Sequence, residues 1–235
     1  MSRVTIYLSL FFIMMVNCSS VAKDRAVRYK VKVLESLPHS VNAYTQGLFF
    51  HNGSLFESSG QYGESYFREI NLKTGATIRS FNLAPKYFAE GAVVLNNLLY
   101  LLTWMENEVL VYDINSFKQL GTLYNPREGW GLTTDGKSLI MTDGSDHLFF
   151  MDPNTFMERS RVKVTLDGKK LDQLNELEFI DGKVWANVYG EEIIVIIDPK
   201  TGVVEGVVEC FNLLSRQERS PRTDVLNGIA YNSVD

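Results

Sequence analysis

Polar or aromatic side chains begin five short apolar runs of the chain: Gln46, Glu90, Trp130, Asn175 and Asn227. If they converge, one carboxylate, three amides and an indole would suit a small polar group that is either uncharged or cationic. Glu90 matters most, because a carboxylate that faces a channel needs either a cation beside it or a function. The sequence therefore predicts a pocket built around one acid.

Purely structural roles remain open for most of these residues. The amides of Gln46, Asn175 and Asn227 could bond neighbouring backbone instead of a ligand. Trp130 lies between two glycines, so it could form a pocket wall or pack between sheets. Glu90 has no comparable alternative and is the first candidate for chemistry.

Metal and cofactor sites are not predicted. The three histidines, His39, His51 and His147, lie far apart in the blade scheme and away from the five starts, and no converging zinc ligands are recognisable. The sequence also lacks a phosphate-binding P-loop, a C-x-x-C pair and the nucleophile elbow G-x-S-x-G. We therefore expect chemistry without a metal or a cofactor.

A repeat of about 40 to 50 residues organises the chain, and this period is typical of propeller blades. Its second marker is an Asx-initiated turn that begins at Asn71, Asp113, Asp152 or Asp198. Strand-forming residues flank each turn, and a further turn separates the first two strands of a unit. Four strands per unit favour a β-propeller over the alternative, a β-sandwich.

Five unit starts predict an all-β, five-bladed β-propeller. We expect the segment 29–34, which precedes the first start, to supply the outer strand of the last blade and so close the ring. Because the chain stops at Asp235, soon after the fifth start at Asn227, the last blade is expected to be incomplete. In each blade the start of the first strand lies beside the end of the second, so the five starts should surround one channel mouth.

Composition and the N-terminus limit the class of protein. With 45% hydrophobic and 22% charged residues and a net charge of −5, the chain is globular and unsuited to a nucleic-acid partner. Residues 1–22 read as a secretory signal, with an uncleaved anchor as the alternative, and residues 23–235 as one propeller domain. The protein is expected to be secreted or periplasmic, with a membrane attachment only if Cys18 is lipidated.

Several motifs resemble the plant and bacterial glutaminyl-peptide cyclotransferases. They lie in the family's order between about Tyr29 and Tyr231, and they include Tyr44-Thr45-Gln46-Gly47-Leu48, Phe88-Ala89-Glu90-Gly91, Leu102-Thr103-Trp104, Glu128-Gly129-Trp130-Gly131-Leu132, Leu174-Asn175-Glu176-Leu177-Glu178 and Val225-Leu226-Asn227-Gly228-Ile229-Ala230. The resemblance implies a five-bladed propeller that converts an N-terminal glutamine to pyroglutamate with release of ammonia and without zinc. It also implies peptide or protein substrates with N-terminal glutamine, and we expect a monomer.

Roles for individual residues follow from the same resemblance. Glu90 matches the family's acid/base position, and Asn175 matches a residue that bonds the substrate amide. The substrate-binding positions are matched by Gln46, Phe88, Trp104, Trp130, Tyr189 and Asn227.

Two departures from the family are visible. Tyr189 stands where many members have tryptophan, and the chain ends before the strand that carries a pocket lysine in the family. A weakly active enzyme, or a peptide-binding propeller without catalysis, is therefore also expected as an alternative. A propeller hydrolase or lactonase is disfavoured, because such enzymes need a cluster of acidic metal ligands.

Overall fold

Four-stranded antiparallel sheets dominate the computed structural model, which describes residues 25–215, 217–219 and 223–233. The chain enters through β1 (Val27–Lys30). The first blade then comprises β2 (Thr45–His51), β3 (Ser54–Ser59), β4 (Tyr66–Ile70) and β5 (Thr77–Asn82). The second comprises β6 (Ala89–Leu95), β7 (Leu98–Thr103), β8 (Glu108–Asp113) and β9 (Gln119–Tyr124).

Two further blades complete the series. The third contains β10 (Leu132–Thr134), β11 (Leu139–Met141), β12 (His147–Met151) and β13 (Glu158–Lys163). A small hairpin, β14 (Thr165–Leu166) and β15 (Lys169–Lys170), leads to the fourth blade. That blade contains β16 (Leu174–Ile180), β17 (Lys183–Val188), β18 (Ile193–Ile197) and β19 (Val204–Glu209). The expectation of an all-β propeller with four strands per unit is confirmed.

Turn chemistry sets these boundaries as the sequence predicts. Asn71, Asp113, Asp152 and Asp198 each accept hydrogen bonds from the backbone two or three residues further on. Between β2 and β3, Asn52 and Gly53 have φ values of 49° and 80°, the left-handed conformation of a tight hairpin.

The core lies between neighbouring blades, so the middle strands are buried on both faces. In β7, Leu99 and Leu101 pack toward the first blade, while Tyr100 and Leu102 pack toward the third. This alternation follows from the two-residue period of a strand. A third apolar cluster joins the third and fourth blades.

The number of blades differs from the prediction: the described residues form four blades, not five. The fifth start at Asn227 forms no strand. Instead, the backbone N–H groups of Gly228, Ile229 and Tyr231 donate to side chains of the fourth blade. The segment 223–233 therefore lies against the fourth blade through side-chain acceptors and has no strand partner among the described residues.

The prediction for the N-terminal strand is confirmed in part: a strand near the N-terminus forms the outer edge of the last described blade, but that blade is the fourth, not a fifth. Strand β1 spans Val27–Lys30, and it pairs in parallel with β19 at the outer edge of the fourth blade. It covers that edge rather than adding an outer strand to a fifth blade. The predicted signal at 1–22, with Cys18, lies outside the described residues and stays a prediction. No helix in the described ranges is long and apolar enough to cross a membrane.

Candidate active site

A cavity of about 290 Å³ opens where the first strands begin and the second strands end. Its lining contains Tyr44, Gln46, Gln61, Phe88, Glu90, Trp104, Trp130, Asn175 and Tyr189. All predicted site residues except Asn227 contribute to it. Hairpin pairing explains the convergence, since Ala89 pairs with Thr103 and Leu174 with Val188.

Register irregularities aim the polar side chains in three of the blades. The pairing of first and second strands shifts between Thr45 and Gly47, between Ala89 and Ala92, and between Leu174 and Leu177. Gln46, Glu90 and Asn175 lie within these interruptions. A β-bulge re-aims side chains and twists the strand locally, and bulges are frequent beside active sites.

Glu90 is buried, with 6% of its surface exposed. Within the part of the chain that the structure describes, no group donates a hydrogen bond to its carboxylate. Burial, and then the negative charges of Glu106 and Glu128, raise the pKa of Glu90 well above the usual value of 4.5. A carboxyl with a raised pKa holds its proton more firmly than a free one, which suits a general acid/base.

The backbone around Glu90 is fixed by both neighbouring blades. Ser58 Oγ of the first blade donates to the carbonyl of Glu90 at 2.6 Å. Gly91 N–H donates to the carbonyl of Trp130 in the third blade at 2.7 Å. Gly91 must be glycine for this approach, because a Cβ there would lie 2.5 Å from the backbone nitrogen of Leu132.

Aromatic rings form the walls in two groups. Phe88 meets Tyr44 edge to face, with centroids 6.1 Å apart, and Trp104 at 5.5 Å. On the other side Trp130 meets Tyr189 at 5.6 Å. Rings in these arrangements exclude water and present negative π faces, which suit a cationic nitrogen.

Three side-chain amides line the cavity, those of Gln46 and Gln61 from the first blade and that of Asn175 from the fourth. Asn175 is 4% exposed, and its backbone carbonyl accepts a hydrogen bond from Thr142 Oγ1 at 2.8 Å. Gln46 Oε1 accepts from Asn227 Nδ2 at 2.8 Å, which fixes the side chain of Gln46. Asn227 thus supports Gln46 and lines a smaller adjoining cavity of about 140 Å³.

Three contributors were not predicted individually as site residues, although one of them, Gln61, lies in the stretch 57–62 that hairpin geometry places at the channel mouth. Tyr44 and Gln61 line the cavity, and Tyr44 could have been found because it directly precedes the first start motif. Its hydroxyl donates to Asp224 at 3.0 Å, and burial and Asp224 raise its pKa to about 12. Glu128 is the third: its Oε2 accepts from the indoles of both Trp104 and Trp130.

Glu57 is the first residue of the stretch 57–62, the second-strand end that hairpin geometry places at the mouth, yet it has a structural role. It is fully buried and receives hydrogen bonds from His39, Thr45 and Arg68 at 2.6 to 2.8 Å. Burial opposes its ionisation, but His39 and Thr45, which donate, and the charge of Arg68 lower its pKa. This network anchors the start of β2 beneath Gln46.

Histidines take no part in the cavity. No group of three His, Cys, Asp or Glu residues in the described ranges is arranged to hold a metal ion. The site therefore presents one buried carboxyl, three amides and an aromatic enclosure.

Fold and site together define a β-propeller with an acid and amide pocket at one channel mouth. The chain belongs to the glutamine cyclotransferase family, whose family model matches residues 6–235. This confirms the resemblance that the motifs indicate.

Two known proteins are similar to this chain over most of its length. A glutaminyl-peptide cyclotransferase from Arabidopsis thaliana is 37% identical over 212 residues, which cover 87% of this chain and 65% of that protein's length. The crystal structure of Myxococcus xanthus glutaminyl cyclase matches with 33% identity and a TM-score of 0.83, and the match covers 89% of this chain and 90% of that one.

A third match concerns the fold alone. A Bacteroides caccae protein of unknown function is 14% identical with a TM-score of 0.53, and the match covers 70% of this chain and 66% of that one.

Proposed function

We propose that this protein cyclises the N-terminal glutamine of peptides to pyroglutamate and releases ammonia, without a metal. The observation that carries the proposal is the buried Glu90 carboxyl, which faces an aromatic cavity and receives no hydrogen bond from the described residues. Family membership and the similarity to a glutaminyl-peptide cyclotransferase and a glutaminyl cyclase support the same reaction.

Orientation supplies the first part of catalysis. The α-amine of the substrate must fold back onto the δ-carbon of its own side chain, and a cavity of about 290 Å³ limits the conformations open to it. Holding the reacting atoms within contact distance removes much of the entropic barrier. The rings of Phe88, Trp104 and Trp130 enclose the aliphatic part of glutamine in this proposal.

Proton transfer through Glu90 supplies the second part. The neutral amine attacks the amide carbon, a C–N bond forms, and the ionised Glu90 carboxylate takes one proton from the attacking nitrogen. The protonated Glu90 then gives that proton to the departing amide nitrogen as the second C–N bond breaks and ammonia leaves. The raised pKa makes the Glu90 carboxylate a stronger base than a free carboxylate, so the same group can take the proton and then return it.

The amides stabilise the intermediate. Attack places negative charge on the amide oxygen, and Asn175 can donate a hydrogen bond to this oxyanion. Gln46 has its side-chain oxygen held by Asn227, so its NH₂ group is left to bind the substrate. Tyr189 completes the wall on the side of Trp130.

Peptide binding without turnover is a second candidate function. It is favoured by one observation: the cavity lining contains no lysine or arginine among the described residues. Only neutral donors then face the oxyanion, and neutral hydrogen bonds are about half as strong as charge-assisted ones. The two candidates share the same cavity and differ in whether the bound peptide reacts.

The proposal is tested by ammonia release from a glutamine-initiated dipeptide, with and without a chelator. We expect chelator-resistant release that E90Q lowers by at least about two orders of magnitude, the scale of a positioned acid/base. E64Q removes the same charge from an exposed residue and serves as the control. Chelator-sensitive release would contradict the proposed mechanism, and retained peptide binding without release would favour the second candidate.

A further inference from the structure

Glu128 contacts both tryptophans of the cavity through one oxygen atom. Its Oε2 accepts a hydrogen bond from Trp104 Nε1 at 2.9 Å and another from Trp130 Nε1 at 3.1 Å. Trp104 directly follows β7 of the second blade, and Trp130 precedes β10 of the third. One carboxylate therefore joins walls that come from two different blades.

We propose that Glu128 is a positioning residue, which fixes Trp104 and Trp130 as walls of the glutamine pocket and adds negative potential at Glu90. This inference rests on the proposed function and names a residue that acts on the reaction without touching the substrate.

The positioning role follows from the chemistry of indole. An indole has a single N–H donor, so one acceptor sets the direction in which the ring edge points. A carboxylate acceptor makes that bond stronger than a neutral one would be. Because both bonds end on the same oxygen, the two rings cannot move apart without breaking at least one of them.

The loop that carries Glu128 is itself docked onto the second blade. Gly129 N–H donates to the carbonyl of Trp104 at 3.0 Å. A Cβ at Gly129 would lie 2.5 Å from the carbonyl oxygen of Thr103, so only glycine permits this approach. The position of Glu128 between the two rings is therefore set by the backbone.

The electrostatic role concerns Glu90 directly. The charged groups that raise the pKa of Glu90 are Glu106 and Glu128, and the charge of Glu90 in turn helps to raise the pKa of Tyr44 and of Tyr62. Glu128 is exposed, so salt screens its field at Glu90 more than that of a buried charge. Its negative charge should hold the Glu90 proton more firmly at low ionic strength.

Two variants at the same position separate the two roles. E128Q keeps an oxygen acceptor for the indoles but removes the charge, while E128L removes both. Each is made in a W185F background, so that fluorescence comes only from Trp104 and Trp130. Thermal unfolding of every variant identifies loss of folding.

Activity and fluorescence give different expectations for the two variants. We expect E128L to lower kcat/KM by about ten- to a hundredfold, because displaced indole rings no longer hold the substrate in the reactive geometry. Acrylamide should also quench the tryptophan fluorescence of E128L more strongly than that of its parent. We expect E128Q to lose less activity. At low salt, the acidic limb of the E128Q kcat/KM profile should lie at lower pH than that of the parent. At about 1 M salt the Debye length is about 3 Å, so the charge of Glu128 is screened and the two profiles should approach each other.

The inference is overturned if E128L matches its parent in both quenching and kcat/KM, or if the E128Q pH profile does not move at low salt. Quenching does not depend on turnover. If the W185F parent releases no ammonia, the proposed reaction fails, while equal quenching in E128L and its parent would separately refute the indole contact.

Discussion

The hydroxyl of Ser58 in β3 donates a 2.6 Å hydrogen bond to the backbone carbonyl of Glu90 in the next blade. Both residues are buried, at 0% and 6% exposure. The third blade repeats the relationship, since Thr142 Oγ1 donates to the carbonyl of Asn175 at 2.8 Å. Hydroxyls within or directly after the second strands thus hold the backbone of the two proposed catalytic residues from the preceding blade.

Replacing Ser58 by alanine tests whether this bond positions Glu90. The S58A variant leaves a buried carbonyl without its donor, which costs about 1–3 kcal/mol of folding free energy. We expect kcat/KM to fall by about tenfold or more, because Glu90 is displaced within its bulge. S80A, on the exposed outer strand of the same blade, is the control and should match the wild type in both chemical denaturation and kinetics. Full activity in S58A would limit Ser58 to a structural role.

The pH dependence of kcat/KM is expected to reflect Glu90. Its pKa lies well above 4.5 because of burial and then the charges of Glu106 and Glu128. Since the attack step needs the ionised carboxylate, activity should rise with pH through this raised pKa rather than near 4.5. E106Q should move the acidic limb of the kcat/KM profile to lower pH, because Glu106 is the neighbouring charge with the largest effect on the pKa of Glu90. E64Q should leave that limb in place. A limb at the ordinary carboxyl pKa would argue against Glu90 as the base.

Much of the site was predictable because the repeat fixes where strands begin. Gln46, Glu90 and Asn175 each start an inner strand, and hairpin geometry brings Trp104 and Tyr189 beside them. The bulges that aim these side chains were not predictable, since a register shift depends on the opposite strand. The role of Glu128 was hidden for a similar reason: its partners, Trp104 and Trp130, come from two blades.

The fifth blade is the main prediction that was wrong, and the contacts of Glu176 show what replaces it. Three inner-strand starts carry glycine after the site residue, at Gly47, Gly91 and Gly131, where the backbone of the next blade approaches closely. The fourth start carries Glu176, whose two oxygens accept from Leu48 N at 3.2 Å and Ile229 N at 2.8 Å. A side chain bridges the first blade and the segment 223–233 there. The repeat pattern alone predicted another blade at this place.

Gly144 should be required for the position of Trp130. It has φ of 77°, and a Cβ there would lie 2.7 Å from the indole ring. G144A is therefore expected to lose stability and also to displace Trp130, with a fall in kcat/KM. G136A is the matched control, since Gly136 has φ of 84° in the same blade but nothing within 4 Å of its Cβ. It should lose about 1 kcal/mol from backbone strain alone and keep its activity. Equal kinetics in the two variants would contradict the steric argument.

Glu178 should make the folded state less stable as pH rises. Burial raises its pKa from 4.5 to about 8, although Tyr231 N–H donates to it at 3.4 Å. Below about pH 4.5 the carboxyl is protonated in both states, and its contribution to stability is fully present. Between about 4.5 and 8 the unfolded chain releases the proton while the folded protein retains it, so this contribution is lost as pH rises toward 8.

Urea unfolding across this pH range measures the effect. E178Q keeps an acceptor for Tyr231 and cannot titrate, so its free energy of unfolding should fall less steeply with pH than that of the wild type. Part of the slope should remain, because burial and Glu178 raise the pKa of Glu176 as well and only the charge of Glu178 is removed. E191Q, at an exposed position in the same blade, should retain the wild-type slope. An E178Q slope equal to that of E191Q would mean that the pKa of Glu178 is not raised in the folded protein.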